Sequence, residues 1–270
     1  MTVRVLRLAT AASLLALALA ACSTTEETPY VERPAEQIYG EAANELDQAH
    51  YKKAADLFDE VERQHPYSQW ATRAQLMAAY AHYENEMYDD AILALDRFIQ
   101  LHPGSDQLAY AYYLKALCYY EQITDVRRDQ RNTRYALDSL QDVARRFPTT
   151  EYARDALLKI DLTNDHLAGK EMEIGRFYLR QSQLSAAINR FRTVVDQYQT
   201  TSHVPEALHR LVETYLALGL PAEAEKTAAV LGHNFPGSEW YRDSYALLVD
   251  ASVRPETDKS MLSRAWNSLF

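Results

Sequence analysis

The chain has 270 residues and a formal net charge of −10, with 28 basic against 38 acidic side chains, 7 glycines, 9 prolines and 2 cysteines. That acidity speaks against a nucleic-acid partner, because a phosphate backbone is held by a basic surface. So few glycines and prolines leave little turn-forming material for an all-β fold, whereas the abundance of Ala, Leu, Glu, Gln and Arg suits long helices.

Residues 1–21 read as an export signal: Arg4 and Arg7 supply a positive start, and Leu8 to Ala20 form an apolar run too short for a permanent membrane span. The run ends in Leu19-Ala20-Ala21-Cys22, which resembles the lipobox of bacterial lipoproteins. That resemblance implies that Cys22 becomes the first residue of the mature chain and carries S-diacylglycerol and N-palmitoyl groups; an ordinary cleaved signal with an incidental cysteine is the alternative. Ser23 stands where Asp would signal inner-membrane retention, so the same resemblance implies the outer membrane, with the protein anchored at its periplasmic face by lipid alone. Residues 22–34, polar and containing proline, read as a flexible tether. Removing residues 1–21 takes away Arg4 and Arg7 and no acid, so 26 basic and 38 acidic side chains remain, a charge of −12.

Beyond the tether the chain repeats. Five segments align without gaps: YKKAADLFDEVERQHP (51–66), YDDAILALDRFIQLHP (88–103), TRYALDSLQDVARRFP (133–148), LSAAINRFRTVVDQYQ (184–199) and PAEAEKTAAVLGHNFP (221–236). Each has an alanine, Ala54, Ala91, Ala136, Ala187 or Ala224, followed twelve residues later by Pro66, Pro103, Pro148, Gln199 or Pro236. Apolar residues fall at +4 (Phe58, Leu95, Leu140, Phe191, Ala228) and +7 (Val61, Phe98, Val143, Val194, Leu231), which buries one face of a helix in every copy. The closing proline is expected to end this helix B, since it lacks an amide donor and disfavours helix in the residue before it. A small residue twelve before the alanine, Ala42, Ala79 or Gly175, with Val212 as the misfit, marks a close approach by the preceding helix A. These offsets resemble the tetratricopeptide repeat and predict an all-α solenoid of about five helix-turn-helix units in a right-handed superhelix.

The spacings vary informatively. Pro66 to Pro103 and Gln199 to Pro236 are each 37 residues; Pro103 to Pro148 is 45, the excess falling in a polar loop at DVRRDQRNT (125–133). Pro148 to Gln199 is 51, which predicts one long or broken helix from Tyr152 to Arg180, a joint between an amino-terminal half (35–150) and a carboxy-terminal half (151–250). Residues 240–249 predict a capping helix. The tail 251–270 breaks at Pro255 and resumes as a short amphipathic helix bearing Met261, Leu262, Ala265, Trp266, Leu269 and Phe270, either folded back or docked on a partner.

No catalytic motif, phosphate loop or CxxC pair is present, and no metal, cofactor or catalytic residue is assigned. His65 and His102 occupy the same architectural position before a closing proline, and His203 and His209 read as surface residues. Cys118 reads as a small core residue. The 19 tyrosines, Tyr80, Tyr83 and Tyr88 in the second repeat and Tyr110, Tyr112, Tyr113, Tyr119 and Tyr120 in the third among them, either pack between repeats or line a groove for an extended peptide.

The lipobox, the lead-in PAEQIYGEA (34–42), AILALDRFIQLHP (91–103), the insertion DVRRDQ (125–130) and AAINRF (186–191) together resemble the BamD family, also called ComL, from Cys22 to about Phe235. The resemblance implies a scaffold without enzymatic activity in outer-membrane β-barrel assembly. Its amino-terminal repeats would receive the targeting strand of unfolded outer membrane proteins, and its carboxy-terminal repeats would dock on the barrel protein BamA, beside other Bam lipoproteins. Carried over by position, Asn189-Arg190 is the BamA-binding pair, with Arg190 bridging to a carboxylate unless it merely solvates its helix. The family's substrate region falls on Lys52 to Tyr67, so Lys52, His65 and Tyr67 join Tyr80 and Tyr83 of the second repeat as the groove candidates; His65 departs from the tyrosine common in relatives. The alternatives are a lipid-anchored adaptor for pilus assembly or envelope protease recruitment, and an enzyme acting on cell-wall polymer.

Overall fold

A computed structural model describes residues 32–253; the export segment, Cys22, most of the tether and the amphipathic tail lie outside the described residues. Among those described, the chain is helical throughout: α1 (Ala35–Asp47), α2 (Tyr51–Gln64), α3 (Gln69–Glu84), α4 (Tyr88–Leu101), α5 (Leu108–Glu121), α6 (Arg131–Arg146), α7 (Glu151–Arg180), α8 (Leu184–Gln197), α9 (Val204–Ala217), α10 (Pro221–Asn234) and α11 (Glu239–Val253). Each helix packs on the next in chain order, giving five hairpins stacked in series with α11 covering the last. The fold is an α-solenoid of tetratricopeptide type.

The repeat landmarks are the core. Ala54, Ala91, Ala136, Ala187 and Ala224 are fully buried, and so, within a few per cent, are all ten residues at +4 and +7. Each Phe, Leu or Val among them contributes about 1.5–3 kcal/mol through loss of contact with water. Because no single hairpin covers its own stripe, the clusters run across hairpins: Phe58 and Val61 share one with Ala74 and Ala78 of α3, and Leu95 and Phe98 share one with Leu114 and Cys118 of α5.

The small positions of helix A are buried as expected at Ala42, Ala79 and Gly175, and Val212 is buried too. The third copy has its counterpart at Ala116, fully buried and displaced eight residues upstream by the insertion. The loop is as long as its polar sequence suggests but lies three residues earlier, because α5 ends at Glu121, α6 begins at Arg131 and Thr133 is buried. The true connection, 122–130, folds onto the middle of α7. Val126 lies against Gly169, and the Lys170 ammonium donates to the carbonyls of Arg127 (2.9 Å) and Arg128 (3.2 Å). Gln130, almost wholly buried, donates to the carbonyls of Asp125, Val126 and Arg128 and so closes the loop on itself.

The other four hairpins turn identically. In each, the amide two residues past the helix A cap reaches five residues back and the amide before it three back, as in His50 to Glu45 and Ala49 to Leu46, each 2.9 Å. This is the Schellman arrangement, and it requires a left-handed residue. Gly219 (φ 72°) fills that position in the fifth hairpin, but Ala49, Glu86 and Ser182 fill it in the first, second and fourth with φ between 57° and 60°.

Helix B ends at one register in all five copies, and the capping residues His65, His102, Phe147, Tyr198 and Phe235 share φ between −134° and −125°. Tyr198 does so with Gln199 after it, so the proline reinforces the stop and does not alone create it. The segment of uncertain continuity is one unbroken helix, α7, 30 residues and roughly 45 Å long. Thr150 caps it, its hydroxyl accepting from the Ala153 amide at 3.2 Å. Ala156 and Ile160 in its first half pack with Leu140 and Val143; Ala168, Met172 and Leu179 in its second half pack with Ala187, Phe191 and Val194.

The end of the expected tether is fastened. The Arg33 amide donates to Gln64 Oε1 at 3.0 Å, the His65 ring reaches the Arg33 carbonyl at 2.6 Å, and the Arg33 guanidinium pairs with Glu41.

Candidate functional site

The five groove candidates fall on two edges of the first hairpins. Lys52 stands at the start of α2, beside an open concavity lined by Glu45, His50, Tyr51, Lys53 and Asn85. Tyr80 lies within electrostatic reach of Tyr51 and hydrogen-bonds Glu84, placing it on that edge. Tyr83 stacks against Tyr88 at 5.8 Å, and burial pushes its hydroxyl pKa up to about 12. His65 and Tyr67 lie past the other end of α2, about 20 Å along its axis from Lys52. His65 is occupied in holding the lead-in, and Tyr67 is fully exposed. Linear proximity in Lys52 to Tyr67 therefore does not produce one groove.

Several of the other tyrosines pack between hairpins or within one. Tyr110 and Tyr113 of α5 both meet Tyr152 of α7, at 5.6 and 5.3 Å, and the Tyr113 hydroxyl donates to Asp155. Tyr112 meets Phe147 and Tyr119 meets Tyr135. Burial raises the Tyr110 and Tyr113 hydroxyl pKa values, and for Tyr113 the hydrogen bond to Asp155 adds to the rise.

Arg190 projects from α8 with its side chain 40% exposed and pairs with Glu171 of α7, Nη1 to Oε2, at 2.9 Å. Asn189 beside it is exposed. The hydrogen bond to Glu171 and the carboxylate's charge raise the Arg190 pKa against a smaller burial effect. A partner carboxylate arriving here would meet a guanidinium already held in place by one internal contact.

His209 departs from its surface expectation: it is 4% exposed, because α11 lies over it. Its Nδ1 is 2.9 Å from Ser244 Oγ of α11 and its Nε2 3.3 Å from Glu213 Oε1. Arg210 pairs with Glu213 at 2.8 Å and lies over the Trp240 ring, while Arg176 of α7 clamps Glu206 with two bonds of 2.8 and 2.9 Å and reaches Glu173 at 2.7 Å. A chain of alternating charge thus ties α7, α9 and α11 together. His203 matches its expectation more closely, with its side chain 27% exposed and 3.6 Å from Asp165.

Comparison with known proteins bears on what this scaffold is. The family model described as YfiO, an outer membrane lipoprotein, matches residues 31–231. The chain is 53% identical over 96% of its length to the outer membrane protein assembly factor BamD of Caulobacter vibrioides, covering 86% of that protein. It is 48% identical over 90% of its length to the BamD of Rickettsia prowazekii, covering 96% of it. The chain belongs to the BamD family. Among solved structures, the TPR2AB domain of yeast Sti1 aligns over 87% of this chain and 96% of its own, with 12% identity and a TM-score of 0.42.

The BamD family match spans all five hairpins, from the lead-in at 32–34 to α10. Sequence reasoning missed the half-buried charge chain of α7 and α9 beneath α11, whose only visible signal is the paired spacing of Glu206, Arg210, His209 and Glu213 at four residues. Among the described residues no helix is long and apolar enough to cross a membrane.

Proposed function

We propose that this chain is a non-enzymatic scaffold of outer-membrane β-barrel assembly, anchored by lipid at Cys22 on the periplasmic face of the outer membrane. The observation that carries this reading is the 53% identity over nearly the whole chain to a protein named an outer membrane protein assembly factor. In this reading the carboxy-terminal hairpins dock on a BamA-like barrel protein through Arg190 and Asn189. The amino-terminal hairpins receive unfolded outer membrane proteins near Lys52, Tyr80 and Tyr83 or near His65 and Tyr67. A stacked-hairpin surface suits that work, because it offers a long stiff wall with many side chains and demands no reaction chemistry.

Depletion of the protein tests the reading. Loss of many outer-membrane barrels together supports it; loss of a single appendage or a single proteolytic activity, with barrels intact, refutes it in favour of an adaptor. Isolation of the chain from native membranes in mild detergent should bring a BamA-like protein with it.

A further inference from the structure

We propose that the arginines of the third-hairpin insertion, Arg127, Arg128, Arg131 and Arg134, form a docking surface for an acidic protein segment. All four are exposed, within eight residues, in a chain whose formal charge is −10. None has an ion-pair partner among the described residues, whereas Arg33, Arg97, Arg176, Arg190 and Arg210 each have one. The acids of the same segment are engaged by backbone: Asp125 Oδ1 accepts from the Arg127 amide at 2.8 Å, and Asp129 Oδ1 from the Arg131 amide at 2.7 Å. Arg127 feels Glu173, but that carboxylate is already hydrogen-bonded to Arg176 at 2.7 Å.

The placement of the arginines runs against helix electrostatics. Arg131 and Arg134 occupy the first turn of α6, where the helix dipole presents positive charge and the helix itself carries no acid, Asp129 on the Arg131 amide offsetting only part of it. Cations are disfavoured there, and a bound anion relieves the repulsion. The backbone that carries Arg127 and Arg128 is also fixed before any partner arrives, by Lys170 on their carbonyls and by the buried Gln130 amide. Ordering that backbone therefore adds no cost on binding, and each planar guanidinium is free to take a carboxylate in two bonds.

A protein segment fits better than an anionic bilayer. A membrane surface would repel the rest of this acidic molecule as it approached, whereas an extended or helical acidic segment can touch the patch alone. Arg190 is not one of the four arginines, so the proposal stands whether or not Arg190 binds a partner.

The test uses the full chain in mild detergent and a fluorescein-labelled hexaglutamate peptide. Replacing Arg127, Arg128, Arg131 and Arg134 together with Gln should weaken binding by roughly tenfold or more. Removing four other exposed arginines, Arg145, Arg154, Arg180 and Arg192, in the same way should leave it within about twofold. Equal weakening by both sets, or no weakening by the first, overturns the proposal. So does a result in which the first set abolishes binding to vesicles containing phosphatidylglycerol while hexaglutamate binding persists. Helicity and melting temperature measured on each variant separate loss of the surface from loss of the fold; should the fourfold variant melt early, Arg127→Gln/Arg128→Gln, confined to the loop, is judged by the same outcomes.

Discussion

Phe191 packs directly on the bare Cα of Gly175, so closely that a methyl group there would come within 2.8 Å of its Cδ1 and 2.9 Å of its Cζ. Phe191 is fully buried in the cluster that joins α7 to α8 and α9, and the ring has nowhere to retreat. Gly175→Ala is therefore expected to lower stability by about 1–3 kcal/mol in urea unfolding, despite alanine's better helix propensity. Gly40, mid-helix in α1 with nothing within 4 Å of its missing Cβ, is the control: Gly40→Ala should raise stability by roughly 0.5–1 kcal/mol.

The four matching hairpin turns make opposite predictions for glycine. Gly219→Ala should cost about 1 kcal/mol, because a side chain must enter the left-handed region although the space around it is open. Ala49→Gly, Glu86→Gly and Ser182→Gly each relieve the same strain, and a gain of a few tenths to about 1 kcal/mol is expected. Thermal melts of the four single variants check the sign of each change.

Arg190 and Glu171 give a prediction that rests on the proposed docking contact. Arg190→Glu places two carboxylates together and should abolish co-isolation of a BamA-like protein while helicity stays intact. Glu171→Gln releases the guanidinium from its internal partner and should leave co-isolation undiminished or stronger. Wild-type recovery with Arg190→Glu would remove Arg190 from the interface.

The Glu213 carboxylate makes the carboxy-terminal hairpin acid-sensitive. Burial pushes its pKa up, but the bond to His209 and the charges of His209 and Arg210 outweigh that, and the net shift is downward from 4.5. A depressed carboxylate adds stability above its unfolded pKa and loses it as pH falls through the lower folded value. Stability of the wild type should therefore drop as pH falls below about 4.5, and Glu213→Gln should flatten that drop. Trp240, which stacks on His209 at 5.3 Å, reports the release of α11 by fluorescence.

Cys118 is fully buried, and burial pushes its thiol pKa up to about 12. It should resist thiol reagents in the folded protein and react only when urea opens the second and third hairpins.

What the sequence made legible follows from what repeats. Burial at Ala54, Phe58 and Val61 recurs at Ala187, Phe191 and Val194 because stacked hairpins present one problem five times, and periodicity exposes the shared answer. Ala116 escaped because eight inserted residues broke its register with Ala136, and the loop's polar character hid the first three residues of α6. His209 escaped because its burial depends on α11, 35 residues away, and no local pattern foretells a contact between elements that far apart. The groove candidates scattered for a related reason: Lys52 and Tyr67 are near in sequence, yet a straight helix between them carries them to opposite edges.

The length of α7 also limits how this architecture tolerates change. Its hairpin is fourteen residues longer than the 37-residue spacing of the second and fifth, nearly four full turns of helix, so the surplus slides everything beyond it along the axis by about 21 Å with a rotation of only some 40°. Deleting or adding one residue within that rod would swing Phe191 and all that follows through roughly 100° relative to the first three hairpins. A change of length that preserves the alignment of the first three hairpins with the last two must therefore come in steps close to whole turns.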